Sequence, residues 1–294
     1  MPKNPTVAIL YDFDKTLCPK NMPEYSFIPS LGLRPEQFWE LANQLSDEQK
    51  MDRILAFMYL MVRKSKDLHK NIHRETFVKM GEQVAFYEGV TDWFGRINAF
   101  GAQNGVEISH YIISSGLKEV IEGCKIAGEF DKIYACEFHY DENGVADWPK
   151  IAINYTSKTQ FLFRINKGVF DISDDDSLNR YIADDQRQIS FKNMIYIGDG
   201  LTDVPCMKLV KTNGGHSIAV YKLREKAQVQ HLLEDGRVNF IAPADYREGR
   251  LLDELVKNII LKAAPAARLS QIAKKQRREL QDREETPDIP RTKG

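Results

Sequence analysis

Short apolar runs rich in strand-forming residues recur along the chain, and helical patterns separate several of them. The runs are Val7–Tyr11, Val106–Ile113, Lys132–Tyr140, Val145–Asn154 and Met194–Ile197. Strands that alternate with helices are typical of parallel sheets joined by crossover helices. The sequence therefore predicts an α/β fold with a parallel sheet. A turn signal at residues 141–144 lies between two of the runs, so residues 132–154 are expected to include a β-hairpin attached to the sheet.

Helical periodicity fills the long gap between the first two runs. Apolar residues recur at helical spacing from Arg34 to about Phe86, for example at Phe38, Leu41 and Leu45. A chain of 294 residues is long enough for a core domain that carries an insert. We expect an α/β core at residues 1–18 and 87–262, with an inserted all-helical cap at 19–86. The charged segment at 263–294 is expected to form a helix that frays into a tail.

Charge and cysteine content argue against several classes of protein. The chain carries 41 Lys and Arg against 42 Asp and Glu, a net charge of -1. No overall field would draw it onto nucleic acid or anionic lipid. The longest apolar run, Ile54–Val62, has nine residues, whereas a membrane-spanning helix needs about 20. Four separated cysteines without a C-x-x-C pair, and no signal-peptide pattern, predict reduced thiols in the cytoplasm.

Two carboxylates follow the first apolar run directly, in the motif Asp12-Phe13-Asp14-Lys15-Thr16. Residues two apart in extended chain point the same way, so Asp12 and Asp14 can reach one site. Carboxylates so close repel each other, and one resists ionisation unless a cation lies between them. Mg²⁺ suits such a position because it takes hard oxygen ligands and usually keeps substrate phosphate in its shell. Alone, this short motif carries little specificity.

A second acidic motif, Gly198–Asp203, follows the apolar run Met194–Ile197. Glycines on both sides of Asp199 permit a tight turn, which allows its carboxylate to point at a metal beside a phosphate. An ordinary Asp-Gly turn explains the same residues equally well. Another acidic run, Asp174–Asp176, is followed by Ser177 and has two interpretations, a cation site or a solvated loop with a helix cap. The second is favoured, because charge runs are usually solvated.

Candidate phosphate ligands lie between the two acidic motifs. Ser114 ends an apolar run and precedes Ser115 and Gly116, and Lys158 lies near the start of a helical pattern. A hydroxyl can donate to a phosphoryl oxygen, and an ammonium can neutralise charge that develops in a transition state. Each residue by itself is as readily structural as functional. Their order along the chain, between the two acidic motifs, is more informative than either residue alone.

The ordered set of D-x-D-x-T, a strand-end serine, a lysine and G-D-G-x-x-D resembles the haloacid dehalogenase (HAD) superfamily of phosphohydrolases. All four motifs of that family are present in order across residues 7–207. The helical insert between the first two motifs resembles the branch that includes phosphoserine phosphatase. The resemblance implies an α/β core with a doubly wound parallel sheet of the Rossmann-like type and an inserted all-helical cap that selects the substrate. It also implies bound Mg²⁺ and hydrolysis of a small phosphorylated metabolite through a phosphorylated aspartate.

The resemblance also implies a role for each motif residue. Asp12 would be the nucleophile and Asp14 the general acid and base. Thr16, Ser114, Ser115, Gly116 and Lys158 would bind the phosphoryl group. Asp12, Asp14 through its backbone carbonyl, and Asp199 would hold Mg²⁺, and Asp203 would support the metal or the lysine. Phosphoserine phosphatases carry a glutamate nine residues after the nucleophile, where this chain has Asn21. Glu24 could substitute for that glutamate and Arg53 could still bind a carboxylate, but free phosphoserine is not expected to be the preferred substrate.

Other interpretations remain open at this stage. The run Asp14-Lys15-Thr16 also resembles the phosphorylated motif of P-type ATPases, which would make Asp14 the nucleophile. Those pumps need many membrane spans, which this sequence does not predict. The same aspartyl-phosphate could pass to an acceptor other than water, as in mutases, and the fold could also serve as a catalytically idle binding module. The sequence leaves the physiological substrate, the oligomeric state and the role of the acidic stretch 171–188 undetermined.

Overall fold

The computed structural model describes residues 4–284, and its centre is a seven-stranded sheet of order β4-β3-β2-β1-β5-β6-β7. The strands are β1 Thr6–Tyr11, β2 Glu107–Leu117, β3 Lys132–Tyr140, β4 Ala146–Ile151, β5 Met194–Gly198, β6 His216–Tyr221 and β7 Phe240–Pro243. All neighbouring pairs are parallel except β3 and β4, which pair antiparallel as the predicted hairpin. The predicted α/β fold with a mainly parallel sheet is confirmed.

Eleven α-helices connect or flank the strands within residues 4–284. They are α1 Phe27–Ser30, α2 Pro35–Gln49, α3 Arg53–Asp67, α4 Arg74–Gly81, α5 Val90–Gln103, α6 Lys118–Glu122, α7 Lys158–Lys167, α8 Asp175–Asn179, α9 Val204–Thr212, α10 Ala227–Glu234 and α11 Leu251–Glu284. The chain moves from β1 toward one edge of the sheet and from β5 toward the other. Because crossovers between parallel strands are right-handed, helices α5 and α9 cover opposite faces, which makes the sheet doubly wound.

The reversal of direction lies between the adjacent strands β1 and β5. In open α/β sheets the carboxyl ends of the strands at such a switch point form a crevice, and ligands bind there. Strand β1 is almost wholly buried, with Val7 to Tyr11 at most 1% exposed. A strand buried on both faces is apolar throughout and ends where polar groups can reach the crevice. The residue that follows β1 at this end is Asp12.

Helices α1 to α4 fill the sequence between β1 and α5, as the periodicity predicted, and they pack closely on the core. A Cβ atom built on Gly81 of α4 would lie 2.2 Å from the carbonyl oxygen of Val120, and one on Gly123 would lie 1.8 Å from that of Val78. Only glycine permits backbones to approach so closely. The Asn154 Nδ2 donates to the Asp52 Oδ2 (3.0 Å), which adds a second attachment between the insert and the core.

Three segments differ from the sequence-based expectation or extend beyond it. Strands β6 and β7 were not predicted, and β2 continues to Leu117 through an irregularity after Ile113. In the acidic stretch, the Asp174 carboxylate accepts from the Ser177 N–H at the start of α8 (2.9 Å), so it acts as a helix cap. Helix α11 extends to Glu284. The last part of the predicted tail, 285–294, lies outside the described residues.

Candidate active site

Asp12 and Asp14 lie on the loop that leaves the centre of the sheet. The Asp12 N–H donates to the Ile197 carbonyl (2.9 Å), which continues the β1–β5 pairing and fixes the start of the loop. Asp12 is 5% exposed. The Asp14 Oδ1 accepts from the Met22 N–H (2.9 Å). Between these aspartates and the insert, Lys15 has φ 58°, a left-handed conformation that is uncommon for residues other than glycine.

Lys158 is the first residue of α7, and its ammonium group lies in a fully buried position between two carboxylates. Its Nζ donates to the Asp12 Oδ1 (2.8 Å) and to the Asp203 Oδ1 (2.7 Å). The lysine is 0% exposed. Burial of an ion is costly unless the charge is paired and hydrogen-bonded. The structure therefore joins Lys158 by hydrogen bonds to Asp12 and Asp203, the first and the last aspartate of the sequence motifs.

Ser114, Ser115 and Gly116 lie beside Asp12 because β2 pairs parallel with β1, with Ile112 opposite Tyr11. All three residues line the same cavity as Asp12 and Lys158. The Ser114 Oγ accepts from the Gly116 N–H (3.0 Å). A Cβ on Gly116 would lie 1.8 Å from the methyl carbon of Met22 and 3.2 Å from the Asp14 Oδ2. Glycine at this position lets the strand end approach the Asp14 carboxylate.

Asp199 and Asp203 follow β5, the other strand at the switch point. Ligand oxygens of Asp12, Asp199 and Asp203 all lie within 4.8 Å of one another. The Asp203 Oδ1 accepts from Lys158 and also from the Tyr196 hydroxyl (2.7 Å). Its Oδ2 is buried and has no hydrogen-bond partner among the described residues. A Cβ on Gly198 would lie 2.4 Å from that Oδ2, so the glycine before Asp199 makes room for the Asp203 carboxylate.

Burial and mutual repulsion perturb the titration of these carboxylates. Burial, opposed by Lys158, raises the pKa of Asp12 to about 6. Burial together with Asp12 and Asp203 raises the pKa of Asp199 to about 8. The pKa of Asp14 is raised well above its ordinary value, first by burial and then by the charge of Asp12. For Lys158, burial opposes the charge, but Asp12 and Asp203 outweigh it and raise the pKa.

The oxygen donors of this cluster fit a hard divalent cation. Three buried or half-buried carboxylates lie close together, and Lys158 supplies one positive charge for them. Burial first, and then the neighbouring carboxylates, raise the pKa values of Asp12 and Asp199, and a cation at this edge of the sheet would oppose both effects. The unpartnered Asp203 Oδ2 is a further oxygen that a cation or a water molecule would satisfy. Mg²⁺ binds through a few carboxylates of this kind.

The aspartates open into a cavity of about 210 Å³ that lies between the core and the insert. On the core side, the sequence predicted seven of the residues that line it: Asp12, Asp14, Ser114, Ser115, Gly116, Lys158 and Asp199. Asp203 lies behind Lys158. Thr16 is fully buried, is not among the lining residues, and its hydroxyl has no hydrogen-bond partner within residues 4–284. The motif residues therefore converge on one cavity, with Thr16 and Asp203 in the layer beneath it.

The insert supplies the opposite wall. Its lining residues are Asn21, Pro23, Trp39, Ala42, Asn43, Arg53, Ile54 and Phe57. The sequence analysis singled out Asn21 but assigned no site role to Trp39, Asn43 or Phe57. Trp39 and Asn43 are four residues apart on α2, and helical spacing places such residues on one face. That spacing was a usable signal for a shared face, although it does not show whether the face packs on the core or borders a cavity.

Glu24 holds two of these residues in place from behind the wall. Its Oε1 accepts from the Trp39 Nε1 (3.0 Å) and from the Asn21 Nδ2. Glu24 itself is not among the lining residues. Asn21 therefore contributes a neutral amide group to the lining of the cavity.

Comparison with known proteins gives the class of protein. Residues 9–208 match the family model described as haloacid dehalogenase-like hydrolase, and this match covers more than half of the chain and all four motifs. The chain belongs to the haloacid dehalogenase-like hydrolase family. The resemblance on which the sequence analysis rested is thus confirmed at the level of the family.

Individual relatives are distant. An uncharacterized protein of Borreliella burgdorferi is 26% identical over 283 residues, which are 87% of this chain and 97% of that protein. A HAD family hydrolase from Salmonella enterica serovar Typhi has a similar structure, with a TM-score of 0.57, 18% identity and coverage of 87% and 72% of the two chains. The phospho-aspartyl intermediate analogue of phosphoserine phosphatase is also similar, with a TM-score of 0.52 and 17% identity. The match covers 86% of this chain and 99% of that chain. At these identities the structures show a shared fold.

Within residues 4–284, no helix combines the length and the apolar character that a membrane span requires.

Proposed function

We propose that the protein is a magnesium-dependent phosphomonoesterase that acts on a small phosphorylated metabolite through an aspartyl-phosphate intermediate. The observation that carries the proposal is the position of Asp12 at the switch point of the sheet. Its Oδ1 is held by Lys158 at 2.8 Å, and Asp14 lines the same cavity. A carboxylate nucleophile beside a second carboxyl group is the arrangement that phosphoryl transfer through aspartate requires. Membership in a hydrolase family supports the proposal.

In the first step, the Asp12 Oδ2 attacks the phosphorus of the ester and forms a phosphorus–oxygen bond to the carboxylate. The bond from phosphorus to the ester oxygen breaks, and the leaving oxygen takes the proton of Asp14. In the second step, a water oxygen attacks phosphorus while Asp14 takes a proton from that water. The bond from Asp12 to phosphorus breaks and inorganic phosphate leaves. Asp14 suits both steps because burial and the charge of Asp12 raise its pKa, which favours the protonated form that the first step needs.

The surrounding residues would bind and orient the phosphoryl group. Ser114 and Ser115 offer hydroxyl groups at the end of β2, and the Gly116 backbone approaches the Asp14 carboxylate. The Lys158 ammonium uses two of its three N–H donors on Asp12 and Asp203, which leaves the third for a phosphoryl oxygen. Mg²⁺, held by Asp12, the Asp14 carbonyl and Asp199, would offset the negative charge of the transferring group. Thr16 would support the loop from beneath.

The wall contributed by the insert would select the leaving group. It combines apolar faces from Trp39 and Phe57 with the amide of Asn43 and the guanidinium of Arg53. A cavity of about 210 Å³ between the core and the insert favours a small metabolite over a phosphorylated protein as the substrate. All four cysteines are buried and free, in keeping with a reducing compartment. We therefore place the activity in the cytoplasm and expect neither nucleic acid nor membrane as a partner.

Hydrolysis of p-nitrophenyl phosphate tests this proposal. The purified protein is assayed with Mg²⁺, after removal of divalent cations with EDTA, and after Mg²⁺ is restored. Turnover that disappears with EDTA and returns with Mg²⁺ is the expected result. A folded protein without turnover under any of these conditions would support the catalytically idle binding module. Addition of sugar and alcohol acceptors, with a search for phosphorylated acceptors, distinguishes hydrolysis from phosphotransfer.

A further inference from the structure

The two oxygens of Asp203 have different surroundings. Oδ1 accepts two hydrogen bonds of 2.7 Å, one from Lys158 and one from the Tyr196 hydroxyl. Oδ2 has no hydrogen-bond partner among residues 4–284 and lies close to the backbone of Gly198. All three side chains are 0% exposed. The carboxylate is therefore fixed through one oxygen only, and Tyr196 provides one of its two attachments.

Tyr196 and Asp203 differ in how firmly the backbone holds them. Tyr196 lies in the middle of β5, paired with Leu10 of β1 on one side and Ser217 of β6 on the other. Asp203 ends a single 3₁₀ turn, Leu201–Asp203, outside the sheet. Backbone paired on both sides in a central strand is among the most stable parts of a fold, whereas a short turn opens more easily. The hydroxyl of Tyr196 thus ties a side chain on a turn to the rigid centre of the sheet.

The position of Lys158 depends in turn on these acceptors. An ammonium group is a point charge on a flexible four-carbon stem, so its direction is set by the groups that accept its hydrogen bonds. Asp12 and Asp203 accept two of them. If the Asp203 carboxylate rotates, the lysine follows it, and the third N–H no longer points to where the phosphoryl oxygens lie. Small errors of this kind are costly, since catalysis depends on close positioning of charge.

We propose that Tyr196 is a positioning residue for the reaction: its hydroxyl fixes the Asp203 Oδ1 and thereby holds the free N–H of Lys158 toward the phosphoryl group. This inference rests on the proposed function, because it presupposes a phosphoryl group bound at Asp12. Tyr196 does not line the cavity. Burial raises the pKa of Tyr196 well above its ordinary value, which agrees with a neutral hydroxyl that donates.

The substitution Tyr196→Phe removes the hydroxyl and leaves the ring. With p-nitrophenyl phosphate and saturating Mg²⁺, we expect kcat to fall at least tenfold while KM changes by a smaller factor. Tyr134→Phe is the matched control, because Tyr134 is equally buried and its hydroxyl only bonds the Phe170 carbonyl at 3.4 Å. That variant should keep the wild-type kcat. Thermal unfolding of both variants reports how far stability changes.

A double-mutant cycle with Asp203→Asn separates positioning from a general effect on folding. If Tyr196 acts through Asp203, then Tyr196→Phe lowers kcat less than threefold in the Asp203→Asn background, although it lowers kcat tenfold or more in the wild type. Equal factors in both backgrounds would overturn the inference. So would a kcat of Tyr196→Phe within threefold of the wild type.

Binding of inorganic phosphate provides a readout that does not need turnover. Calorimetric titration in Mg²⁺ should show that Tyr196→Phe weakens phosphate binding by threefold or more, while Tyr134→Phe leaves it unchanged. If the wild type binds phosphate but hydrolyses no ester, the proposed function fails and the titration still decides the role of Tyr196. Unchanged phosphate affinity in Tyr196→Phe contradicts the positioning role. A wild type that neither binds phosphate nor turns over overturns both proposals.

Discussion

The two walls of the cavity differ in how firmly their polar groups are held. On the core wall, Asp12, Lys158 and Asp203 are buried and joined by hydrogen bonds of 2.7–2.8 Å. On the insert wall, Glu24 holds Asn21 and Trp39, but Arg53 is exposed, and no hydrogen bond or ion pair joins its guanidinium group to another of the residues 4–284. Under the proposed function, the groups that perform chemistry would be fixed before the substrate arrives, whereas Arg53 would acquire its partner from the substrate.

The largest effect is expected on the core wall, at the nucleophile. Asp12→Asn retains the shape of the side chain but removes its charge and its nucleophilicity. We expect the turnover of p-nitrophenyl phosphate to fall more than 100-fold, about 2.7 kcal/mol of activation free energy, with the unfolding transition preserved. Steady-state kinetics and circular dichroism measure the two quantities. A folded variant that retains more than about a hundredth of the wild-type rate would remove Asp12 from this role.

The second effect concerns the cation. Asp199→Asn replaces a hard oxygen ligand by a weaker neutral one, so the concentration of Mg²⁺ needed for half-maximal rate should rise about tenfold or more. The control is Asp176→Asn, which changes an exposed carboxylate in α8. Mg²⁺ titrations of the wild type and both variants provide the comparison. An unchanged Mg²⁺ requirement in Asp199→Asn would exclude this residue from the metal site.

The third prediction concerns the insert wall alone and tests how Asn21 affects the choice of substrate. Asn21 is neutral and its Nδ2 donates to Glu24, so an ammonium group would find no charge-assisted acceptor at this position. Such contacts are about twice as strong as neutral hydrogen bonds. We expect phosphoserine to give no advantage in kcat/KM over a panel of sugar, nucleotide and amino-alcohol phosphates. If phosphoserine leads that panel by tenfold or more, about 1.4 kcal/mol, the interpretation of Asn21 is wrong.

The last prediction concerns stability, and it involves a buried polar network that supports β1 beneath the core wall. The Trp93 Nε1 donates to the Tyr11 hydroxyl (2.8 Å), which donates to the His110 Nδ1 (3.0 Å), and the His110 Nε2 donates to the Asn98 Oδ1 (2.9 Å). Burial lowers the pKa of His110 from 6.5 to about 3. Between these two pKa values the unfolded chain binds more protons than the native state, so acid destabilises the fold.

Denaturant unfolding at pH 7.5 and 5.5 measures this contribution. Between pH 7.5 and 5.5 the free energy of unfolding should fall about 1.4 kcal/mol more in the wild type than in His110→Asn. The reason is that His110 gains a proton in the unfolded chain but not in the native protein. His231→Asn, at an exposed position of α10, should follow the wild type. If wild type and His110→Asn lose the same free energy of unfolding, His110 does not remain neutral in the native state and the account of this network is wrong.

The sequence predicted the core wall more completely than the rest because its signals are local. Asp12 and Asp199 each follow a buried apolar strand, and parallel strands bring their carboxyl ends to one edge. Strands β6 and β7 were missed because each offers at most four apolar residues in a row, which do not distinguish a strand from a buried helix segment, and because neither precedes an acidic motif as β5 does. The hydrogen bond from Tyr196 to Asp203 was equally unpredictable, because it depends on which way a side chain of a central strand points.

The insert wall could not be predicted in the same way. Periodicity indicated amphipathic helices in this region, and α2, α3 and α4 have that character. It does not reveal how two helices cross or which of their faces borders a cavity. Trp39 and Phe57 meet edge to face with ring centroids 5.8 Å apart, a contact between α2 and α3 that no local pattern specifies. The residues proposed to select the substrate are therefore positioned by tertiary packing, whereas those proposed for the chemistry can be found from sequence motifs.

Chemical trapping of the phosphorylated residue tests the central claim most directly. The protein is mixed with p-nitrophenyl phosphate and Mg²⁺, quenched in acid, and treated with borohydride, which reduces an acyl phosphate to an alcohol. Peptide mass spectrometry then locates the change. We predict reduction of residue 12 to homoserine in the wild type and no reduction in Asp12→Asn. Reduction at Asp14, or turnover without reduction at either aspartate, would contradict the assignment of Asp12 as the nucleophile.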